Sequence, residues 1–138
     1  MKIFLDTSYM FKVLRFVSKF WYSNLIFFNK LVDWKIILIS DYVIQELLQS
    51  HILLKLWYDD VQKFLYFLHN FLSKFWIEIF ESKDLKEKYL QYVNDKNDAQ
   101  ILQDAIESWC NVLLTNNVKD FKVDLIEKNL WIKIVKKL

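Results

Sequence analysis

The sequence predicts an α/β fold in which a central, mostly parallel sheet of four to five strands lies between two layers of helices. Two features predict it. Short runs of consecutive apolar residues, such as KIFL at 2–5 and KIILIS at 35–40, are typical of strands buried on both faces. Segments with apolar residues at helical spacing separate these runs, and this alternation favours parallel strands joined by helices. Because no linker or repeat interrupts the pattern, we expect a single domain over residues 1–138.

In the first half of the chain, polar residues mark where each apolar run ends. The first strand ends at Asp6, and Thr7 or Ser8 can cap the helix that follows it. Ser40 or Asp41 can cap a helix in the same way after the second strand. The predicted elements, in order, are a strand at Lys2–Leu5, helices at 10–20 and 22–32, a strand at Lys35–Ser40, a helix from Tyr42, and a helix at Asp59–Leu72.

In the second half, the clearest helical signal is an apolar stripe that begins after Asp98. Leu102, Ala105, Ile106 and Trp109 stand at i, i+3, i+4 and i+7, so we expect all four to face the core. The apolar run VLLT at 112–115 is the strand that follows. The other predicted elements are a strand at Phe75–Phe80, a helix capped by Ser82 and running through Val93, a helix at Asp120–Lys128, and a strand at Leu130–Val135.

The composition limits the classes of protein to consider. The net charge is +2, so no strong overall field attracts nucleic acid, and the single cysteine excludes an internal disulfide and a cysteine-rich zinc site.

The chain has no glycine and no proline, and alanine and arginine are scarce. We infer a very AT-rich coding sequence. Turns with positive φ must then use Asn, Asp or Lys, with candidates at Asn29, Asn70, 94–97, Asn116 and Asn117.

We expect a cytoplasmic protein that does not enter a membrane. Asp6 interrupts the first apolar run, and no signal-peptide cleavage site follows it. Charged residues break the apolar region at 16–40, so it never reaches the roughly 18 uncharged residues that a spanning helix needs. His51 and His69 are isolated, which favours surface or capping roles over metal binding.

Three acids stand where the carboxyl edge of the sheet is predicted. Asp6 ends the first strand, Glu46 lies within a helix, and Asp98 begins another helix. Asn117 or Asp120 follows the fourth strand and can reach the same edge. Two of these acids also have a purely structural interpretation: Asp6 as a helix cap and Glu46 as a solvent-facing side chain. Asp104, further along the helix of Asp98, is expected to be solvated.

Carboxylates that converge at one edge repel one another, and a divalent cation relieves that repulsion. Because no histidine or cysteine cluster accompanies these oxygens, the ligands favour Mg²⁺ or Mn²⁺ over zinc. Such an ion can activate water and stabilise the charge of a phosphodiester displacement. The three acids therefore predict a site for a divalent cation, whose chemistry suits such a displacement.

Three motifs resemble the PIN domain family over the whole length of the chain. KIFLDTSYM resembles the opening strand of the family, SDYVIQELL its glutamate motif, and DKNDAQILQDAIESWCNVLLTNNVKDF its segment Asp-x-x-Asp, helix, strand, Thr-x-Asp/Asn-x-x-Asp-Phe. The last segment is the most specific, and it is closest to the branch of VapC-like toxins of toxin–antitoxin systems. The resemblance implies a PIN-like α/β/α sandwich.

The resemblance also implies a function and a set of site residues. PIN proteins are typically metal-dependent ribonucleases, and VapC-type toxins are silenced by an antitoxin. Asp6, Glu46 and Asp98 match the acidic metal ligands, and Thr115 matches the residue that steadies the site. Many PIN domains have a fourth acid where this chain has Asn117. The expected supporting or catalytic residues are Thr7, Asp95, Thr115, Asn117 and Asp120.

We therefore predict a Mg²⁺- or Mn²⁺-dependent endoribonuclease that hydrolyses RNA with metal-activated water. It would be a homodimer and the toxin of a type II toxin–antitoxin pair, with an antitoxin protein as partner. One alternative is an RNA-processing nuclease. A second is a PIN-fold binding or regulatory module with weak or no activity, which Asn117 motivates. A third, a phosphohydrolase with an aspartate nucleophile, is disfavoured because Ser8 stands where such enzymes carry a second aspartate.

Overall fold

A computed structural model of the chain describes residues 1–19, 28–54 and 61–138. Residues 28–32 are helical, and short 3₁₀ helices lie at Glu87–Tyr92 and Val118–Asp120. The strands are β1 (Lys2–Leu5), β2 (Ile36–Ser40), β3 (Glu78–Phe80), β4 (Val112–Leu114) and β5 (Lys133–Val135). The longer helices are α1 (Thr7–Lys19), α2 (Asp41–Leu54), α3 (Val61–Lys74), α4 (Lys96–Glu107) and α5 (Val123–Leu130).

The five strands form one parallel sheet in the order β3-β2-β1-β4-β5. β1 is central, with Phe4 opposite Leu38 of β2 and Leu5 opposite Leu114 of β4. The α/β class and the parallel sheet predicted from the sequence are therefore confirmed. Because the strands are parallel, all five carboxyl ends lie at the same edge, where open α/β sheets place their sites.

The apolar runs of the central strands β1 and β4 are buried as predicted. Ile3, Phe4 and Leu5 of β1 have no exposed surface, and neither do Leu113 and Leu114 of β4. A strand buried on both faces cannot alternate apolar and polar residues, which explains the continuous runs in the sequence. The central strands thus form a rigid base for the polar residues that follow them.

Several element boundaries differ from the predictions. The strand predicted at Phe75–Phe80 is limited to Glu78–Phe80, and the helix predicted at Asp120–Lys128 starts at Val123. The helix predicted from Ser82 through Val93 is reduced to the 3₁₀ helix at Glu87–Tyr92. Residues 81–86 are not helical, and the Ser82 N–H donates to Asp41 Oδ1 at 2.9 Å, so Ser82 does not cap a helix. Parts of the helices predicted at 22–32 and 59–72 lie outside the described residues.

The prediction for positive φ was also wrong. Among the described residues, the left-handed region is occupied by Trp34, Trp76, Trp109 and Trp131, with φ between 56° and 63°, and not by Asn, Asp or Lys. Trp109 is 83% exposed, so it does not face the core as its helical spacing predicted. The reason is that α4 ends at Glu107, two residues before Trp109, so the helical spacing no longer determines where its side chain lies.

None of the helices in residues 1–19, 28–54 and 61–138 is long and apolar enough to cross a membrane.

Candidate functional site

The sheet brings Asp6 and Thr115 side by side. Asp6 follows the last residue of β1, and its N–H donates to the carbonyl oxygen of Leu114 at 3.0 Å. Thr115 is the residue after Leu114, at the end of the neighbouring strand. Asp6 is only 4% exposed and Thr115 is fully buried. The pairing of β1 with β4 therefore places a buried acid and a buried hydroxyl at the centre of the carboxyl edge.

Two hydroxyl groups hold one oxygen of the Asp6 carboxyl group. Thr115 Oγ1 donates to Asp6 Oδ2 at 2.5 Å, and Ser8 Oγ donates to the same oxygen at 2.9 Å. Burial raises the pKa of Asp6, while these hydrogen bonds act in the opposite direction. The orientation of the Asp6 side chain is thus set by Thr115, which follows β4, and by Ser8 of α1.

Glu46 points from α2 toward the start of α1. Its Oε1 accepts a hydrogen bond of 2.5 Å from Thr7 Oγ1, and Thr7 directly follows Asp6. Burial raises the pKa of Glu46 first, and the negative charges of Asp6 and Asp95 raise it further. Of the two interpretations left open by the sequence, the structure shows the one in which Glu46 faces the end of β1.

Asp98 lies in the first turn of α4 and is half-buried. Burial, followed by the charges of Asp6, Asp120, Asp95 and Glu46, raises the pKa of Asp98 to about 7. In the described part of the chain, no basic side chain pairs with Asp98. Several acids therefore share one region without an opposite charge, which is costly for buried carboxylates.

The start of α4 is held by Asp95. Asp95 is the N-cap of the helix, and its carboxylate accepts a hydrogen bond of 2.8 Å from the Asn97 N–H. This is the usual way to satisfy the free N–H groups of a first turn, and it leaves Asp98 free of capping. Asp95 thus orients the turn that carries Asp98.

The segment after β4 brings Asp120 close to the start of α4. The Asn94 N–H donates to the Asp120 carbonyl oxygen at 3.2 Å, and Val93 forms an antiparallel bridge with Phe121. This explains why the Asp120 charge raises the pKa of Asp98. Asn117 is exposed, and its main-chain N–H donates to Thr115 Oγ1 at 3.0 Å.

The sequence analysis missed the role of Ser8 and Asn116. Ser8 Oγ accepts a hydrogen bond of 3.1 Å from the Asn116 N–H and lies 3.2 Å from Thr115 Oγ1. Asn116 Nδ2 donates to the Ser8 carbonyl oxygen, and its buried Oδ1 has no hydrogen-bond partner in the described residues. The sequence did contain an indication of this contact. Polar residues follow both β1 and β4, and the pairing of these two strands brings those residues together.

Tyr42 is a second residue that the sequence analysis did not assign to the site. Its hydroxyl donates to Asn97 Oδ1 at 2.7 Å, which links α2 to the first turn of α4. Burial and then the charges of Glu46 and Asp95 raise the pKa of Tyr42 to about 12. The phenol is therefore a neutral hydrogen-bond donor at the border of the acid group.

The expectation that Asp104 is solvated was wrong. Asp104 has no exposed surface, and it accepts hydrogen bonds from Ser82 Oγ at 2.7 Å and from Gln100 Nε2 at 3.0 Å. Ser40 at the end of β2 also donates to it. Burial raises the pKa of Asp104, and these bonds oppose the increase. Asp104 therefore ties α4 to the segments that follow β2 and β3.

Replacing Asp104 with alanine should lower the free energy of unfolding by about 1–3 kcal/mol, because it leaves buried donors without an acceptor. Chemical denaturation measures this change. Asp124→Ala, which alters an exposed acid in the first turn of α5, is the matched control. Equal stability of the two variants would show that the buried hydrogen bonds of Asp104 contribute nothing.

The described residues contain no ready-made metal site: no three His, Cys, Asp or Glu side chains are grouped closely enough to hold an ion. The donor set at the carboxyl edge nevertheless suits a hard divalent cation, since Asp6, Glu46 and Asp98 provide only oxygen ligands. Within residues 1–19, 28–54 and 61–138 no cationic side chain offsets these charges at Asp98, and its pKa is raised accordingly. The fit therefore rests on donor chemistry and charge balance.

No family model matches the sequence, and no curated protein matches it either. Among solved structures, a chain of the VapBC2 proteins from Rickettsia felis bound to a DNA fragment from their promoter matches with a TM-score of 0.64. The match covers 98% of each chain at 19% identity. The fold is PIN-like. At this identity the comparison establishes the fold alone, and the chemistry has to be argued from the residues.

Proposed function

We propose that this protein is a metal-dependent endoribonuclease of the PIN type. The observation that carries the proposal is the group of acids at the carboxyl edge, where the pKa of Asp98 is raised to about 7 and no basic residue among those that the structure describes pairs with it. Strongly shifted pKa values at such an edge are typical of functional sites. A divalent cation is the partner that these acids require.

Asp6, Glu46 and Asp98 would hold Mg²⁺ or Mn²⁺. When bound, such an ion would polarise phosphate oxygens and lower the pKa of a bound water, which would make that water a better nucleophile. The other residues position these ligands: Ser8 and Thr115 hold one oxygen of Asp6, and Thr7 holds one oxygen of Glu46. Ligand orientation of this kind commonly contributes a factor of about 10–100 to affinity or activity.

The charge of the site also explains why the substrate would need the ion. An RNA phosphodiester is an anion, and the edge formed by Asp6, Glu46, Asp98 and Asp120 repels anions when no cation is present. Asn117 adds hydrogen-bonding capacity there without another charge. We therefore expect removal of the metal to weaken RNA binding as well as cleavage.

Cleavage of RNA tests the proposal directly. Structured and single-stranded RNA are incubated with the wild type in Mg²⁺ or Mn²⁺, with EDTA, and with EDTA followed by excess metal. We expect cleavage that EDTA abolishes and metal restores, and loss of cleavage in Asp6→Asn. Asp33→Asn is the matched control, because Asp33 precedes β2 at the opposite edge of the sheet. Equal cleavage by wild type and Asp6→Asn would contradict the proposal.

We further propose that the protein is the toxin of a type II toxin–antitoxin pair and forms a homodimer. The support is the fold likeness to the VapBC2 proteins, together with the family resemblance of the segment from Asp95 to Phe121. Expression of the chain should then arrest growth, and co-expression of a neighbouring antitoxin gene should relieve the arrest. Cleavage without growth arrest would favour an RNA-processing nuclease.

A binding module without turnover is the second candidate. Two observations favour it: Asn117 is neutral where many PIN domains have an acid, and the described residues contain no ready-made metal site. This candidate predicts that the folded protein binds RNA or a partner protein but does not cleave RNA in any divalent metal. The cleavage assay above therefore separates it from the nuclease.

A further inference from the structure

Four tryptophans occupy a backbone conformation that tryptophan disfavours. Trp34, Trp76, Trp109 and Trp131 have φ of 58°, 56°, 63° and 60°. For a residue with a Cβ this left-handed region is unfavourable, and for a bulky side chain it is a genuine outlier. All the tryptophans in residues 1–19, 28–54 and 61–138 adopt it, and no other residue described there does.

Packing of the four side chains does not offset this cost, because all four are largely exposed to solvent. Trp34 is 94% exposed, Trp76 and Trp131 are 88% exposed, and Trp109 is 83% exposed. An indole is among the side chains that gain most from burial, so consistent exposure is unusual. The four positions therefore share a left-handed backbone conformation, and none of them needs an indole side chain for packing.

The backbone requirement is that of a glycine at the end of a helix. At Trp76, the Ile77 N–H donates to the Leu72 carbonyl oxygen and the Trp76 N–H to the Ser73 carbonyl oxygen. These are the two hydrogen bonds of the Schellman motif, whose left-handed residue is usually glycine.

Trp109 forms the same pair of hydrogen bonds. The Cys110 N–H donates to the Ala105 carbonyl oxygen, and the Trp109 N–H donates to the Ile106 carbonyl oxygen. Trp34 and Trp131 each lie two residues before a strand, as Trp76 does. All four thus turn the chain into β2, β3, β4 or β5.

The amino-acid composition also shows tryptophan where glycine is expected. The chain contains six tryptophans and no glycine in 138 residues, although glycine is normally about 7% of residues. The AT-rich coding sequence inferred from the scarcity of alanine and arginine disfavours UGG, the standard tryptophan codon. The codon UGA suits an AT-rich gene, and it differs by one base from both UGG and the glycine codon GGA.

We propose that Trp34, Trp76, Trp109 and Trp131 are glycine in the natural protein, encoded by UGA codons that the source organism reads as glycine. The tryptophans are then the product of reading the same codons by another genetic code. Replacing an exposed indole with hydrogen removes no core contact and relieves the left-handed backbone. The carboxyl edge is unaffected, because these residues precede the strands and the acids follow them.

The competing interpretation is an aromatic docking surface at the amino-terminal edge of the sheet, to which all four residues contribute. A docking surface would require exposed indoles, but it would not require positive φ at each of them. The Schellman hydrogen bonds at Trp76 and Trp109 concern the backbone alone. The glycine interpretation therefore explains both the exposure and the backbone, whereas docking explains only the exposure.

Mass spectrometry of the protein from its natural source tests the proposal. Trypsin releases residues 31–35, 75–83, 97–119 and 129–133 as separate peptides, each of which contains one of the four positions. We expect each peptide to have the mass of its sequence with glycine in place of tryptophan. The corresponding codons in the gene should be UGA. Tryptophan in any of the four peptides would overturn the proposal.

Recombinant variants test the backbone argument separately. Changing all four residues to glycine should raise the midpoint of thermal unfolding by about 3 °C or more per site, since each left-handed residue with a Cβ is penalised. The matched control changes all four to alanine, which removes the indoles and keeps the Cβ. An alanine variant as stable as the glycine variant, or a glycine variant less stable than the starting protein, would overturn the argument.

Discussion

Replacing Asp98 with asparagine should abolish metal-dependent RNA cleavage and at the same time stabilise the metal-free protein. Activity should fall by about two to four orders of magnitude, because the metal contributes several kcal/mol of charge stabilisation that its ligands make possible. Stability should rise because the substitution removes one of several uncompensated negative charges. Opposite effects on activity and stability are typical of a residue kept for function.

The gain in stability should depend on pH with a defined sign. The pKa of Asp98 is raised by burial and by neighbouring acids to about 7 in the folded protein, from an ordinary value of 3.8. Between these two pH values the folded state binds more protons than the unfolded state, so the stability of the metal-free wild type falls as the pH rises through this window. The Asp98→Asn variant should not lose stability in this way, because asparagine does not titrate.

Urea unfolding of both proteins in EDTA at several pH values measures the difference. It should be small near pH 4 and reach about 1–3 kcal/mol above pH 7, a range that allows for solvent screening of the half-buried Asp98. Asp33→Asn, at the other edge of the sheet, should show no such dependence. A variant that is less stable than the wild type at pH 8 would contradict this interpretation.

Divalent metal should stabilise the folded protein, and the effect should increase with pH. A ligand present at about 100 times its dissociation constant adds roughly 2.7 kcal/mol of stability. For a chain of this size that corresponds to an increase of about 5–15 °C in the midpoint of thermal unfolding. At pH 5.5 the increase should be much smaller, because Asp98 must lose a proton before it can act as a ligand.

Thermal unfolding in Mn²⁺ at pH 5.5 and pH 8 tests this dependence, with Glu46→Gln as the variant that should lose most of the stabilisation. Sodium chloride at the same ionic strength controls for general screening. A shift of equal size at both pH values would show that the metal binds elsewhere on the protein.

The positions of Asp6 and Glu46 could be predicted because they follow from the regular geometry of the fold. A buried parallel strand ends at one edge of the sheet, so the residue after β1 had to lie there. Glu46 belongs to α2, which starts directly after the neighbouring strand β2. Sequence spacing is sufficient to place both residues near this edge, but for Glu46 it left open whether the side chain faces the site or solvent.

The environment of Asp104 could not be predicted in the same way. Its hydrogen-bond donors Ser82 and Ser40 come from segments that lie 22 and 64 positions earlier in the chain, and only the folded sheet brings them to α4. Ser82 was predicted to cap the helix that follows it, so its hydroxyl was expected to bond to the main chain there and not to Asp104. Long-range pairing of this kind leaves no periodic pattern in the sequence.

The prediction that Trp109 faces the core was wrong for another reason. Its spacing from Leu102 and Ala105 continues the apolar stripe, but the stripe is meaningful only while the chain remains helical. α4 ends at Glu107, and the left-handed conformation at position 109 directs the side chain into solvent. With glycine at this position the sequence would have indicated the end of the helix, since a glycine there is a common stop signal.

Calorimetric titration of Mn²⁺ into the protein at pH 8 tests most directly whether a cation is the partner of the acids at the carboxyl edge. The wild type and Asp33→Asn should bind Mn²⁺ with micromolar affinity, and Asp98→Asn should bind at least about tenfold more weakly, because it lacks one charged ligand. The account would be contradicted by a wild type that binds no Mn²⁺, or by an Asp98→Asn variant that binds it equally well.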